Sequence, residues 1–430
     1  MFPLHESTQR WICRTAFAVL CIVPTTSLLA YALWVSTPVH RQSQAAKYSL
    51  QTGTTVSVDQ LQYPQPGVTR LTNVVLSHSH TGEALANMRE LELRRDGDGL
   101  VIFAAQPQIA AERLGELWQQ VERYLLEESF PACNSIRLIA HDATLSSGNG
   151  ESQTFSVLEA EFATYEAQRS LRITYQLAAD QSAAPVEISL LHDGEGVSRI
   201  HWNTGGADLP LSVWAERLPW LAALGSDCRF RGSIAAASDR NGLSGSLEGT
   251  LTDVDLDRLI TDQVPFKLSG QARVELRNVR IENGRLTEFD VSIQAGPGVV
   301  SQTLVHKAAQ QWRLDSQSAS DDASSKSLRE YTQLACDIRL SAGQMYIEGT
   351  LSEPAGLTML ALQDGTSWQT SPEVSHNPAS IIRILSGSEE ANVPATESTR
   401  QLIRWLPLAT EHSGKSGPPR PTAHLRGDLR

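Results

Sequence analysis

Basic residues are in deficit: 36 Lys and Arg stand against 48 Asp and Glu, a formal net charge of −12. Phosphate binding needs concentrated Lys and Arg. No basic stripe interleaved with aromatics occurs, which argues against nucleic acid as a partner. Cysteine is equally scarce, 5 in 430 residues, and none has the C-x-x-C spacing of zinc or redox sites. Cys13 and Cys21 fall in an apolar N-terminal run. Cys133, Cys228 and Cys336 are scattered and read as buried free thiols, with one disulfide among them as the alternative in an oxidising compartment. No G-x-S-x-G elbow, H-E-x-x-H helix or Walker A loop is present. The expectation is therefore no enzyme, no resident cofactor and no metal, with an enzyme whose site is assembled from distant loops left open as an alternative.

Long apolar runs are also missing, with one exception. From Thr15 to Ser36 the chain reads TAFAVLCIVPTTSLLAYALWVS, without charge and about as long as a bilayer-crossing helix requires. Arg10 and Arg14 flank it on one side, Arg41 and Lys47 on the other. Trp11, Tyr31 and Trp34 sit near its ends, where amphipathic rings favour the interface. Pro24 is tolerable inside a membrane helix. Ala30-Tyr31-Ala32 fits a signal-peptidase pattern, but the apolar run continues through Leu33, Trp34 and Val35. The expectation is a retained anchor over 15–36, with 1–14 cytoplasmic and the remainder on the opposite side.

Beyond this run the chain is mostly strand-like. Short alternating runs are bounded by turn residues: TVSVDQLQYP, RLTNVVLSHSH, MRELELRR, LVIFAAQP, then SIRLIAHDATLS, TFSVLEAEFATY, SLRITYQLAA, PVEISLLHD and GVSRIHWNT. This is the pattern of an antiparallel meander. One helix is expected over 109–128, where Leu114, Leu117, Trp118, Val121, Tyr124 and Leu125 share a face. A second, limited by Pro219, is expected in SVWAERLPWLAAL. Asp96-Gly97-Asp98-Gly99, Asn241-Gly242 and Glu282-Asn283-Gly284 read as hairpin turns. Gly and Ser on one face of some strands predict close backbone approach. A polar loop is expected near 315–327, a short amphipathic helix at STRQLIRWLPLA, and a disordered tail over 411–430.

Several polar groups invite a site reading. Asp253, Asp255 and Asp257 alternate, but an EF-hand loop starting at Asp253 would put Arg258 at its glycine position and Val264 at its glutamate position. They read instead as punctuation between a strand and a short helix carrying Leu256, Leu259 and Ile260, with an aspartate capping free N–H groups. His78 and His80 read as turn-proximal, His192-Asp193-Gly194 as a turn, and Glu127-Glu128 as a solvated face. Trp214, Trp220 and Trp405 read as core or membrane-facing.

The run FRGSI (Phe230–Ile234), then GSLEGTLTDVDLDRLI and LSGQARVEL (Leu268–Leu276), resembles the AsmA-like family of bacterial envelope proteins. YTQLACDIRLSAGQMYIEG (Tyr331–Gly349) is similar to that family's C-terminal strands, and VSVDQLQYPQPGVTRLTNVVL to its opening ones. The resemblance implies an inner-membrane anchor, a periplasmic β-rich groove of the bridge-like lipid-transfer type, and a role in moving phospholipid or maintaining the outer membrane, with envelope protein partners. The expected fold is mainly β: a transmembrane helix, then an antiparallel, groove-like sheet with a few short amphipathic helices. It is divided into a β-rich region over 45–205 and an AsmA-like region over 206–410. Leu171, Ile173 and Tyr175, alternating on one strand, are the lipid-facing candidates. The same alternation also packs a closed sandwich core, so an anchored scaffold without lipid remains the alternative.

Overall fold

The structure, a computed structural model, describes residues 6–385 apart from 53, 80, 127–133, 147–151, 167, 180–182, 195, 215–218, 241, 318–326, 353–356 and 372–373. The expected amphipathic helix at STRQLIRWLPLA, Trp405 and the tail 411–430 lie outside the described residues. So do Cys133, His80, Glu127 and Glu128. The chain is mainly β behind one apolar N-terminal helix, and forms two compact units, Met1–Leu259 with Gly270–Asn278, and Ile260–Ser269 with Val279–Arg430.

The first unit begins with α1 (Glu6–Phe17), a π turn (Ala18–Ile22) and α2 (Val23–Val35), which run on as one helix. Its stretch Arg10–Val35 is long and apolar enough to cross a membrane, and none of it is buried in protein. The π turn has a local cause. Pro24 lacks an N–H and its ring crowds the carbonyl one turn earlier, so the ladder widens just before it. Threonine hydroxyls take up nearby carbonyls: Thr25 donates to Cys21 at 2.6 Å and Thr26 to Ile22 at 2.8 Å. A turn at Ser36-Thr37 leads into α3 (Pro38–Thr52).

Among the described residues fourteen strands come next: β1 (Thr55–Ser57), β2 (Gln60–Gln65), β3 (Val68–Ser77), β4 (Ala84–Asp96), β5 (Gly99–Ala105), β6 (Gln108–Ala110), β7 (Ser135–Ser146), β8 (Ser152–Tyr165), β9 (Gln168–Leu177), β10 (Val186–His192), β11 (Ser198–Asn203), β12 (Leu209–Pro210), β13 (Arg229–Asp239) and β14 (Gly242–Asp255). They pair nearly in chain order, from β2 to β14. The expected meander differs in one respect: β5 and β6 pair with β7 in parallel. The cause is α4 (Leu114–Leu126), entered through a 3-10 turn at Ala111–Arg113, which carries the chain back before β7 starts, the crossover that a parallel pair needs. The boundary expected near 205 falls inside this unit, between β11 and β13, which pair directly. Among the described residues the second expected helix shows two 3-10 turns, Leu211–Trp214 and Pro219–Leu224, with 215–218 outside them; Pro219, without a donor and with fixed φ, begins the second.

A crease crosses this sheet. Along a flat strand, residues on one face are an even number apart. Here the inward pairs are Leu71 and Val74, Met88 and Leu91, Ala140 and Ala143, Phe155 and Leu158, each three apart and each buried or half-buried. Between them lie Asn73 (φ 51), Asp142 (φ 52) and, between β5 and β6, Gln106 (φ 51). The register aligns these positions across β3, β5 and β7. The register runs on unshifted across them, so they add no residue to the ladder; a left-handed residue breaks the alternation of the pleat and bends the strand there. A row of them folds a lip made from β1, β6 and the strand ends over the rest. The lip's Val56, Val74, Met88 and Ala143 pack on Leu71, Ala104 and Ala140. The two alanines leave the room this fold requires.

The second unit contains the end of β15 (Gln271–Glu282), then β16 (Arg285–Ala295), β17 (Gly298–Ser301), α5 (Gln302–Trp312), β18 (Asp315–Gln317), β19 (Leu328–Ser341), β20 (Gln344–Gly349), β21 (Thr358–Leu362), β22 (Ser367–Gln369), β23 (Ser375–His376) and α6 (Ala379–Leu385). Asn283 (φ 52) and Gly284 (φ 74) make the expected tight turn before β16. β19 is central, pairing with β16 and β17 on one edge and β20 and β21 on the other. The first three residues of the expected polar loop are β18, paired with β22; 318–326 lie outside the described residues. The interior is closed: Val291, Val300, Tyr331, Leu340, Met345 and Leu360 are each 3% exposed or less. The Tyr331 hydroxyl donates to the Ser269 carbonyl at 2.7 Å.

Candidate functional site

The candidate site is the inner face of the first unit's sheet. Cross-strand register carries apolar side chains across it in rows. One row runs Leu93, Ile102, Leu138, Ala160, Ile173, Ile188, Trp202, Ile234, Leu247 from β4 to β14. The next runs Leu100, Ile136, Phe162, Leu171, Leu190, Ile200, Ala236. The outer face is charged: Arg70 pairs with Glu90 and Glu92 at 2.9 Å each, Arg137 with Glu159 at 2.6 Å, and Arg172 with Glu187 at 2.9 Å. Such exposed pairs add little stability, but they fix which face meets water.

Exposure along the inner face is uneven. Next to the crease, Leu71, Ala104 and Ala140 are at most 3% exposed. Farther out, Ile102, Leu138, Ala160, Ile173, Trp202, Ile234 and Leu247 are only half-buried. Part of the outer row is roofed by α4, whose Val121 packs on the cluster of Phe162 and Leu171. α4 lies against both β4 and β9, four strand spacings apart, or about 19 Å. Its 13 residues span about 20 Å, so it runs across the strands, along the rows. Arg113, just before α4, pairs with Glu83 and with Glu116. Between the lip on one side and α4 on the other lies an apolar strip whose floor is the Ile173 row.

Leu171, Ile173 and Tyr175 do share this inner face, but in three settings. Leu171 is 6% exposed and lies in the cluster with Val121. Ile173 is half-buried on the strip. Tyr175 meets Phe155 edge-on, ring centroids 5.1 Å apart, and burial raises its phenol pKa above the usual tyrosine range. The partners on β5, β7, β8, β10, β11, β13 and β14 were not singled out from sequence, although each strand carries the same alternation.

The three aspartates have separate jobs. Asp253 is left-handed (φ 58) between half-buried Leu251 and buried Val254. Asp255 Oδ1 accepts from the N–H groups of Asp257 at 2.9 Å and Arg258 at 3.4 Å. Asp257 opens the π turn Asp257–Thr261. They are punctuation, although the helix expected after them is one turn. His78 lies in a turn, its N–H donating to the Glu83 carbonyl and its Nδ1 accepting from Thr81. His192 contacts Ser198 Oγ at 3.0 Å, and Asp193 accepts from the Val197 N–H, closing the expected turn at Gly194 (φ 73). Cys228 and Cys336 are buried free thiols, and burial pushes them up to about 11 and about 12. Among the described residues no group of three or more His, Cys, Asp or Glu is placed to hold a metal ion.

Comparison with protein-family models, curated proteins and solved structures finds no match for this chain.

Proposed function

We propose that this is a membrane-anchored protein of the bacterial envelope, held in the inner membrane by α1–α2 with its β-rich body in the periplasm, and that the strip inside the first unit carries phospholipid acyl chains. The observation behind this reading is the row from Leu93 to Leu247. It is apolar across nine consecutive strands, largely half-buried, and backed by a charged outer face. Nine strands make eight spacings, roughly 38 Å, whereas one leaflet of a bilayer core is about 15 Å deep. An acyl chain laid on the strip gains about 0.8 kcal/mol per buried CH₂ without any headgroup contact. Binding should therefore tolerate headgroup changes and weaken as the chain is shortened. The resemblance to AsmA-like proteins supports the same reading and adds envelope protein partners.

The burial of Phe162 and Leu171 favours a second reading, an anchored scaffold whose interior is filled by its own α4 and lip. The test is native mass spectrometry of residues 1–430 released from membranes in a mild detergent. Co-purifying phospholipid of mixed headgroups, displaced by long-chain but not short-chain fatty acid, supports lipid carriage. A lipid-free protein with an intact thermal transition supports the scaffold.

A further inference from the structure

The end of the membrane helix is tied to the sheet through a chain of aromatic contacts. Tyr31 and Trp34 lie on α2 with ring centroids 6.1 Å apart. The Trp34 ring is 4.3 Å from His40 on α3, and His40 Nε2 lies 3.0 Å from the Tyr63 hydroxyl on β2. His40 is 4% exposed, although its neighbour Val39 is 69% exposed. Only Ser36 and Thr37 separate the two helices, and Thr37 Oγ1 accepts the His40 N–H at 3.3 Å. The Arg41 guanidinium donates to the Asp59 carbonyl just before β2. Farther along α3, Ser49 Oγ accepts the Val56 N–H at 2.8 Å, and Tyr48 packs into the cluster under the lip.

These contacts join the end of α2, the start of α3 and the β2 edge at one junction. What they expose suits one neighbour. Tyr31 and Trp34 are 60% and 53% exposed, at the level where aromatic belts meet the headgroups. Tyr63 and Val39 are exposed beside them. α3 carries Arg41 and Lys47 and no carboxylate, the charge pattern of a helix lying on phospholipid headgroups.

We infer that the Trp34–His40–Tyr63 junction is a membrane-surface seat, which holds α3 and edge strand β2 against the headgroup layer of the bilayer that α1–α2 crosses. This rests on the anchor in the proposed function and is independent of lipid in the strip. It would place the β2–β3 side of the sheet at the membrane, with β14 farthest away along the pairing order.

The test uses the full chain in vesicles of phosphatidylcholine and phosphatidylglycerol, with a fluorescent amino acid at position 39, 62 or 165. Position 62 is on β2, and Tyr165 is an exposed residue at the β8–β9 turn. A headgroup-attached nitroxide should quench positions 39 and 62 several-fold more than 165. In His40→Ala, position 39 should stay quenched while 62 falls to the level of 165, with carbonate-resistant membrane fractionation unchanged. Position 62 no better quenched than 165 in the unmodified junction would overturn the seat, even if His40→Ala failed to fold. So would full quenching at 62 in both His40→Ala and Tyr63→Phe. Loss of carbonate resistance in the unaltered chain would instead overturn the anchor itself.

Discussion

At Gln106 a long polar side chain sits at φ 51, a left-handed conformation that costs an L-residue roughly 1–2 kcal/mol. The crease holds it there. Gln106→Gly should therefore raise stability by up to about 1 kcal/mol, since glycine meets no Cβ penalty but loses more chain entropy. Gln106→Val should lower it by more, because a β-branched residue is a true outlier at positive φ. Paired thermal melts read both signs. If both variants melted below the parent by the same margin, the crease would not be set by backbone conformation. Asp255→Ala should cost about 1 kcal/mol in chemical denaturation, the usual worth of a side-chain cap. In the second unit, burial pushes Tyr331 up to about 12 and Cys336 up to about 12. Their unfolded forms titrate near 10 and 9. The stability from keeping both neutral is thus complete below about pH 9 and lost as pH rises toward 12. Tyr331→Phe should be less stable at pH 7, through the lost bond to Ser269, but should show a shallower decline from pH 9 to 12.

At the scale of elements, hairpin β13–β14 shows how much backbone proximity was legible. Its Gly and Ser residues signalled close approach, and the structure pairs Gly232 (φ 157) directly with Gly249 (φ 152). A Cβ on either would run into the opposite strand's carbonyl. Gly249→Ala should cost about 2 kcal/mol, as overpacking does, measured as a shift in the denaturation midpoint. A change under a few tenths would mean that the strands can part without loss. The turns at Asn283-Gly284 and at Gly194 were also legible, because turn chemistry is local. The crease was not. Its signature, apolar residues three apart in successive strands, is in the sequence as LTNV, MREL, AHDA and FSVL. In any one strand it reads as noise or as helical spacing, and only cross-strand alignment gives it meaning. The parallel β5–β7 step escaped for a similar reason. The helix between them was visible, but the direction of the returning strand is set by where α4 packs.

For the whole molecule, composition and the single apolar run marked out a β-rich chain behind a helix able to cross a membrane. The inner face was legible through Leu171, Ile173 and Tyr175, which share it. Their unequal exposure was not, because it depends on Val121 of α4 reaching Leu171 and on the lip folding over the neighbouring rows. The central claim is that this face meets acyl chains rather than only its own side chains. The most direct measurement is photo-crosslinking in membranes from single positions on β9. Adducts to phospholipid acyl chains are predicted from 173 and 175, few from 171 beneath α4, and none from 172, 174 and 176 on the outer face. Adducts from neither set in a folded protein, or equal yields from both, would contradict it.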